Sequence, residues 1–281
     1  MSTTHKSRSR AASVQVSRVS ICCALLCGFA FAQAPQSQPE TPPYAVNKAS
    51  VPDAIAKVKS GDFGAIHVDL ITRAGAAEAI PALKEQFLRI EGPILKAKIA
   101  AGLIRLGDQD DTYWNFLVKD VTPVLESDAP DFMNFDPPGK SLPGPSPEFI
   151  AWAKAHNVSP DSVGADSVYV LPGKVAILGW SRDPRAIPLL RQALLSPNHM
   201  VETAASMGLA EIGDKDSIPL IIDACRKAPA DSAAVIAAFL VYFDDNTAQT
   251  AVDQYIPKDR ARLYRDATAY GKTTPFSAPL N

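Results

Sequence analysis

"MVETAASMGLAEIGDKDSIPLIIDAC" (Met200–Cys225) contains an apolar helical run, a short polar turn with aspartates, and then Ile-Pro-Leu. "GKVAILGWSRDPRAIPLLRQAL" (Gly173–Leu194) has the same order. One copy alone would fit either an active-site helix pair or a tile of an array, and the second copy decides for the array. Placing Gly213 beside Arg182 brings Pro219 onto Pro188, 31 residues earlier, Leu209 onto Leu178 and Asp214 onto Asp183. Gly107 of "RLGDQDDTY" takes the same slot, with Leu103 and Leu106 on apolar positions, and Gly75 of "RAGAAEAIP" brings Ile80-Pro81 into line. Phe243 of "VYFDDNTAQ" gives a more degenerate fifth copy. Spacings near 30 residues mark a helical repeat protein.

Each unit has a physical reading. Val201–Ile212 presents Ala204, Met207, Leu209 and Ile212 as an apolar stripe. Gly213 suits a left-handed C-terminal cap. Asp214 or Asp216 is expected to cap the next helix, and Pro219 falls in its first turns, where a missing N–H costs least. Ile218, Ile221, Ile222 and Cys225 then face inward. One such hairpin cannot bury its own apolar face, so neighbours must stack on it.

"VETAASMGLAEIGDKDSIPLIIDA" and "SRDPRAIPLLRQAL" resemble HEAT-like repeats of the short type first recognised in phycobilisome lyases, over roughly Asp62–Asn115 and Gly173–Tyr255. The resemblance implies an all-α fold: an α-solenoid of about five HEAT-like helical hairpins with one inserted segment. It also implies a binding scaffold whose second helices line a concave face. The hairpins are expected at Asp62–Ile90, Gly92–Glu126, Val168–Ser196, Asn198–Lys227 and Ala230–Ile256, with terminal half-repeats at Val51–Lys59 and Arg260–Tyr270. The repeat domain thus spans 51–270 and leaves a tail at 271–281.

One stretch breaks the period: Gly107 to Arg182 is 75 residues. The excess, Glu126–Asp166, is dense in Pro and Gly but carries Phe132, Met133, Phe135, Phe149 and Trp152, which pure linkers lack. Within it "SPEFIAWAKAHN" reads as a helix capped by Ser146, with Pro147 at its first position and Glu148 in its first turn. An ordered excursion that packs back on the array is expected.

The start of the chain reads differently. Residues 1–18 carry Lys6, Arg8, Arg10 and Arg18 and no acid, and an apolar run follows that ends Ala30-Phe31-Ala32. That is the pattern of a secretory signal peptide over 1–32, cut after Ala32. The run is short of the roughly 20 residues a bilayer span needs. Ile21, Cys22 and Leu26 precede the cysteines where a lipoprotein signal wants a small residue. Residues 33–50, rich in Pro, Gln and Ser, read as a flexible tether. Removing the four cations takes the formal net charge from −2 to −6. An acidic domain without a basic run is a poor nucleic-acid or anionic-membrane binder. Of 4 cysteines only Cys225 remains, so the mature chain has no internal disulfide.

The search for chemistry returns little. His67, His156 and His199 form no metal-ligand pair by spacing, and His67 reads as a helix-face residue. The His-Glu pairs of HEAT-like di-iron hydroxylases do not occur. "GDQDDT" and "DAPDFMNFD" lack the ligand set of a calcium loop. There is no Walker lysine, Rossmann fingerprint or G-x-S-x-G elbow. Cys225 falls on an apolar stripe and reads as a small buried hydrophobe. "NVS" at Asn157 matches a glycosylation sequon. Trp180 reads as core beside its turn, whereas Trp114 opens a second helix.

The reading is an exported, non-catalytic scaffold, periplasmic or extracellular, without metal or cofactor, that binds a protein or peptide partner. The alternatives are an enzyme resembling the bilin lyases and a structural envelope component. The partner surface is placed on outward positions of the second helices: Lys84 and Glu85, Arg191 and Gln192, Asp223 and Arg226. Trp114, Phe135 and Trp152 are placed as apolar anchors at its edge. Exchanging Arg191 and Arg226 for glutamate is expected to leave stability nearly unchanged.

Overall fold

The computed structural model describes residues 48–132, 145–159 and 170–261. These fall within one compact unit, residues 40–281. The expected signal segment, most of the tether, Phe135 and the C-terminal tail lie outside the described residues. Every regular element among the described residues is helical. The order is α1 (Val51–Ser60), α2 (Ala65–Arg73), α3 (Ile80–Arg89), α4 (Pro93–Arg105), α5 (Asp111–Leu125), α6 (Pro147–Ala155), α7 (Leu171–Trp180), α8 (Ile187–Ala193), α9 (His199–Ile212), α10 (Ile218–Lys227), α11 (Ala230–Ala237) and α12 (Asn246–Tyr255). Short 3-10 turns lead into α3, α8 and α10, and a longer one, Ala238–Tyr242, extends α11.

The ends of these helices follow from their residues. Proline stands at the start of α3, α4, α6, α7, α8 and α10, where its fixed φ suits the helix and no N–H is missed. Side-chain caps come from Asp110 to the Thr112 N–H, from Ser146 to Phe149, from Asn198 to Met200 and Val201, and from Asp245 to Thr247 and Ala248. The Gly64 N–H donates to His67 Nδ1 at 3.0 Å, so His67 helps close the start of α2. The expectation that Asp214 or Asp216 caps α10 fails. Neither side chain bonds the helix start, because Asp214 Oδ2 is taken by Arg191 and the Ser217 hydroxyl.

First and second helices bury themselves differently. In α4 every residue from Ala97 to Leu103 is buried, and in α9 every residue from Val201 to Glu211. The stripe expected on one face of α9 therefore continues around the helix, as it must for a helix enclosed on all sides. The second helices α3 and α10 bury one face only, Leu83 and Phe87 in one, Ile221 and Cys225 in the other. Leu103, Leu178 and Leu209, matched by the repeat register, are all within 1% of full burial.

First helices of successive hairpins pack side by side: α2 on α4, α4 on α7, α7 on α9 and α9 on α11. The α7–α9 crossing is backbone on backbone: a Cβ added at Gly179 would lie 2.2 Å from Gly208 Cα. The extra sequence between α5 and α7 does not part the array. Both α4 and α5 still pack on α7, and Lys174 Nζ meets Asp120 Oδ1 at 2.8 Å across that junction.

The described parts of the insertion are anchored. The Asp131 carboxylate accepts the His199 backbone N–H at 2.8 Å and pairs with its Nδ1 at 2.5 Å, at the N-terminus of α9. Phe149 is fully buried and makes an edge contact with Phe132 at 4.9 Å. The Ser146 N–H donates to the Phe132 carbonyl at 2.7 Å and the Ser146 hydroxyl to the Asp131 carbonyl at 2.7 Å, which closes the base of the 133–144 segment.

Candidate functional site

The turns of the first three hairpins come together. Residues 72–75 at the end of α2, Ile104 and Arg105 at the end of α4 with Asp108, Gln109 and Asp111 beyond it, and 181–185 after α7 line one open cleft of about 640 Å³. Two arginines end their helices there, Arg73 on α2 and Arg105 on α4. Arg105 Nη1 donates to Glu211 Oε1 at 2.9 Å and to the Trp180 carbonyl at 3.1 Å. Arg182 Nε donates to the same glutamate oxygen at 2.6 Å. Behind them the Lys98 ammonium sits 3.6 Å from the centre of the Trp180 ring and pairs with Asp69 at 2.7 Å. The Glu211 side chain has no exposed surface.

The electrostatics follow from that enclosure. Burial holds the Arg73, Lys98 and Arg105 cations below their ordinary pKa ranges, against the pull of Glu211 on all three and of Asp69 on Arg73 and Lys98. Four cations, Arg73, Lys98, Arg105 and Arg182, share this interior with two carboxylates, Asp69 and Glu211. The mouth is balanced differently. Arg185 bridges Asp183 at 2.6 Å and Asp111 at 2.8 Å, and both bonds raise its pKa. Its guanidinium lies 4.6 Å from the centre of the Trp114 ring. Asp108 is held by Lys84 at 2.7 Å.

Sequence reasoning missed this cluster, although the repeat register contains it. Arg73, Arg105, Trp180 and Glu211 each stand two residues before the turn slot occupied by Gly75, Gly107, Arg182 and Gly213. Hairpins that stack in register bring one slot into a column, so these four meet. The slot itself also carries a signal. Gly75, Gly107 and Gly213 have φ of 67°, 92° and 82°, and Arg182 has φ of 56°. A left-handed arginine costs about 1–2 kcal/mol that glycine would not.

The residues placed on the second helices divide in two. Lys84 and Arg191 occupy equivalent positions, three after Pro81 and Pro188, and each reaches into the next hairpin. Lys84 bonds Asp108, and Arg191 bonds Asp214 at 2.8 Å and the Ser217 hydroxyl at 2.8 Å. The expectation that Arg191 stands free is corrected: it clasps two hairpins, and a glutamate there would face Asp214. Glu85 pairs with Arg89 at 2.6 Å, and Asp223 with Arg226 and Lys227, all along one helix. Gln192 Nε2 lies 3.5 Å from the Leu125 carbonyl. Trp114 is half-buried under Arg185 at the mouth of the cleft. Trp152 donates to Asp128 at 2.7 Å and stacks on His156, contacts that lie within the inserted segment. Phe135 lies outside the described residues.

Trp180 is core, as expected, with 1% exposure. Cys225 is buried, and its thiol is pushed up to about 12, chiefly by burial. No helix among the described residues is long and apolar enough to cross a membrane, and no group of metal-ligating side chains occurs among them.

No curated protein and no solved structure matches the chain. A family model described as HEAT repeats matches residues 173–239, which hold most of α7 and all of α8, α9, α10 and α11. The all-helical architecture of the described residues agrees with that match, and HEAT repeats generally serve as protein-interaction scaffolds.

Proposed function

We propose that the chain is an exported scaffold: an α-solenoid of HEAT-like hairpins that binds a protein or peptide partner and performs no catalysis. The observation that carries this reading is the row of enclosed first helices. It uses the repeats as structural tiles and leaves the turns and second helices as working surface. The clefted turn side is the richer of the two surfaces. On the second helices the charges are paired along one helix or with a turn of the next hairpin, whereas the cleft gathers side chains from three hairpins. The bilin-lyase-like alternative keeps only the shared repeat as support, and the short phycobilisome-lyase repeat type belongs to that resemblance alone.

The test is site-specific photo-crosslinking in the producing cell. A photoreactive residue replaces Gln109 in the cleft, Glu85 on a second helix, or Gln254 on α12, at the far end of the array. A scaffold gives a discrete protein adduct from 109 or 85 and none from 254. Adducts of the same pattern from all three positions, or from none, overturn the reading. Intact mass of the released protein tests export: the expected N-terminus is Gln33, and retention of 1–32 on the exported protein would refute the cleavage.

A further inference from the structure

The inserted segment meets the array through one aspartate. Ala129, Phe149 and Ala153 are buried, yet they stand apart from the continuous core that runs through the hairpins. Phe132 and Trp152 pack on Phe149 and complete a small cluster of the insertion's own. A polar joint ties that cluster to α9. Asp131 Oδ1 accepts the His199 N–H and Oδ2 pairs with its Nδ1, while the Asp131 carbonyl accepts the Ser146 hydroxyl that caps α6. One residue therefore holds α6 with its backbone and α9 with its side chain. Glu202 stands three residues after His199, on the same side of α9. It is 7% exposed, and its Oε2 has no hydrogen-bond partner. The same register position, 31 residues earlier in α7, is Leu171. The repeat does not call for a carboxyl there.

We infer that Asp131, His199 and Glu202 form a pH-operated latch, which holds the insertion on α9 at mildly acidic pH and loosens it as the medium turns alkaline. The device is independent of what the array binds. In its closed state it is an ion pair, His199 with Asp131, beside an uncharged Glu202. The bond to Asp131 raises the His199 pKa, and burial raises that of Glu202 to about 7, so both protons are held at pH 6. As pH rises Glu202 ionises and adds its charge to that of Asp131. The His199 cation answers it until it too loses its proton, and the trio passes from neutral to doubly negative. Two carboxylates in one half-buried site repel, and the bond from His199 loses the charge that strengthens it. Relief from the surrounding helices is slight. From α10 the Lys227 ammonium and the Cys225 thiol come within electrostatic reach of Glu202, but Lys227 is exposed and paired with Asp223 at 2.7 Å. In α7 Lys174 is taken by Asp120, and in α8 Arg191 by Asp214. The charged residue of α11 is the exposed Asp231, a further negative charge, and the turn after it carries Tyr242.

The test is amide exchange in the full chain at pH 6 and pH 8, followed by NMR and expressed as protection, so that the effect of pH on free amides is removed. The His199 amide reads the latch directly, because it donates to Asp131. The Met200 and Val201 amides read the same helix end without it, because they donate to Asn198 Oδ1. From pH 6 to pH 8 His199 is expected to lose at least tenfold in protection, and Met200 and Val201 less than twofold. Glu202→Gln, which cannot ionise, is expected to keep most of the His199 protection at pH 8, with a loss of less than threefold. Equal protection of His199 at the two pH values overturns the inference on the unaltered chain, whatever the variant does. A loss shared by Met200 and Val201 also overturns it, because the helix end itself would then be opening. If Glu202→Gln loses as much as the unaltered chain, the repulsion does not come from Glu202 and the latch falls.

Discussion

Helix α9 carries a buried glutamate near each end, and the two are kept in opposite ways. Glu202 lies in the first turn, where the helix dipole favours a negative charge, yet burial raises its pKa to about 7 and its Oε2 has no hydrogen-bond partner. Glu211 lies in the last turn, where the dipole opposes it, and is held by guanidiniums from two other hairpins. Local helix electrostatics would have ranked them the other way round. What a buried carboxylate needs is partners within bonding distance, and stacking of repeats supplies those at one end only. Glu211 is therefore a joint between hairpins. Glu202 is a cost that the N-terminal half of α9 carries, next to His199, Asp131 and Lys227.

The largest effect that can break this comparison is at Glu211. Glu211→Gln leaves Arg105 and Arg182 beside a neutral amide, and removal of one partner of a buried pair costs about 3–5 kcal/mol. Chemical denaturation should show it, and sulfate should restore part of the loss by supplying, from the exposed side of Arg182, the negative charge that the amide no longer gives the guanidiniums. A loss under about 1 kcal/mol would place Glu211 with ordinary surface pairs. Leu209→Ala, two residues away and fully buried, should cost about 2–5 kcal/mol as a cavity. That loss should be the same with or without sulfate, which separates packing from charge on one helix.

Glu202→Gln should act with the opposite sign and only at higher pH. The folded carboxyl holds its proton up to about 7 against an ordinary value of 4.5, so between those values the native state binds more protons than the unfolded one. Stability from this group therefore falls as pH rises through that window. The glutamine variant should gain on the order of 1–3 kcal/mol at pH 8 and nothing at pH 4. His199 runs in the same direction. Its hydrogen bond to Asp131 raises its pKa, so its contribution is complete below 6.5 and is lost as pH rises through the raised folded value. A stability profile that climbs from pH 5 to 8 in the unaltered chain would contradict both. The smallest effect belongs to the exposed pair on α10: Arg226→Ala should change stability by under about 0.5 kcal/mol in chemical denaturation, whereas a larger loss would make that pair a joint as well.

Much of this architecture was legible because hydrophobic periodicity and turn residues are local signals. Ser146, Pro147 and Gly213 act as their types predict, and Leu103, Leu178 and Leu209 fall in one core register. The cleft was not read, for a physical reason. The register was used to align apolar positions, while the site lies in the polar column two places before the turn. The 75 residues between Gly107 and Arg182 also hide that Arg105 and Trp180 are neighbours. Lys84 and Arg191 look solvent-facing on a helical wheel, which shows one helix at a time; their partners, Asp108 and Asp214, belong to the following hairpin.

The bonds from Ser146 to Phe132 and Asp131 have a use for protein engineering. They pin together the two ends of the 133–144 segment, so a change in its length is not transmitted to the helices on either side. Closing a longer loop on a fixed base adds only about 0.6 kcal/mol for each doubling. A fluorescent reporter or affinity tag inserted between Phe132 and Ser146 is therefore expected to ride on the array without disturbing its register.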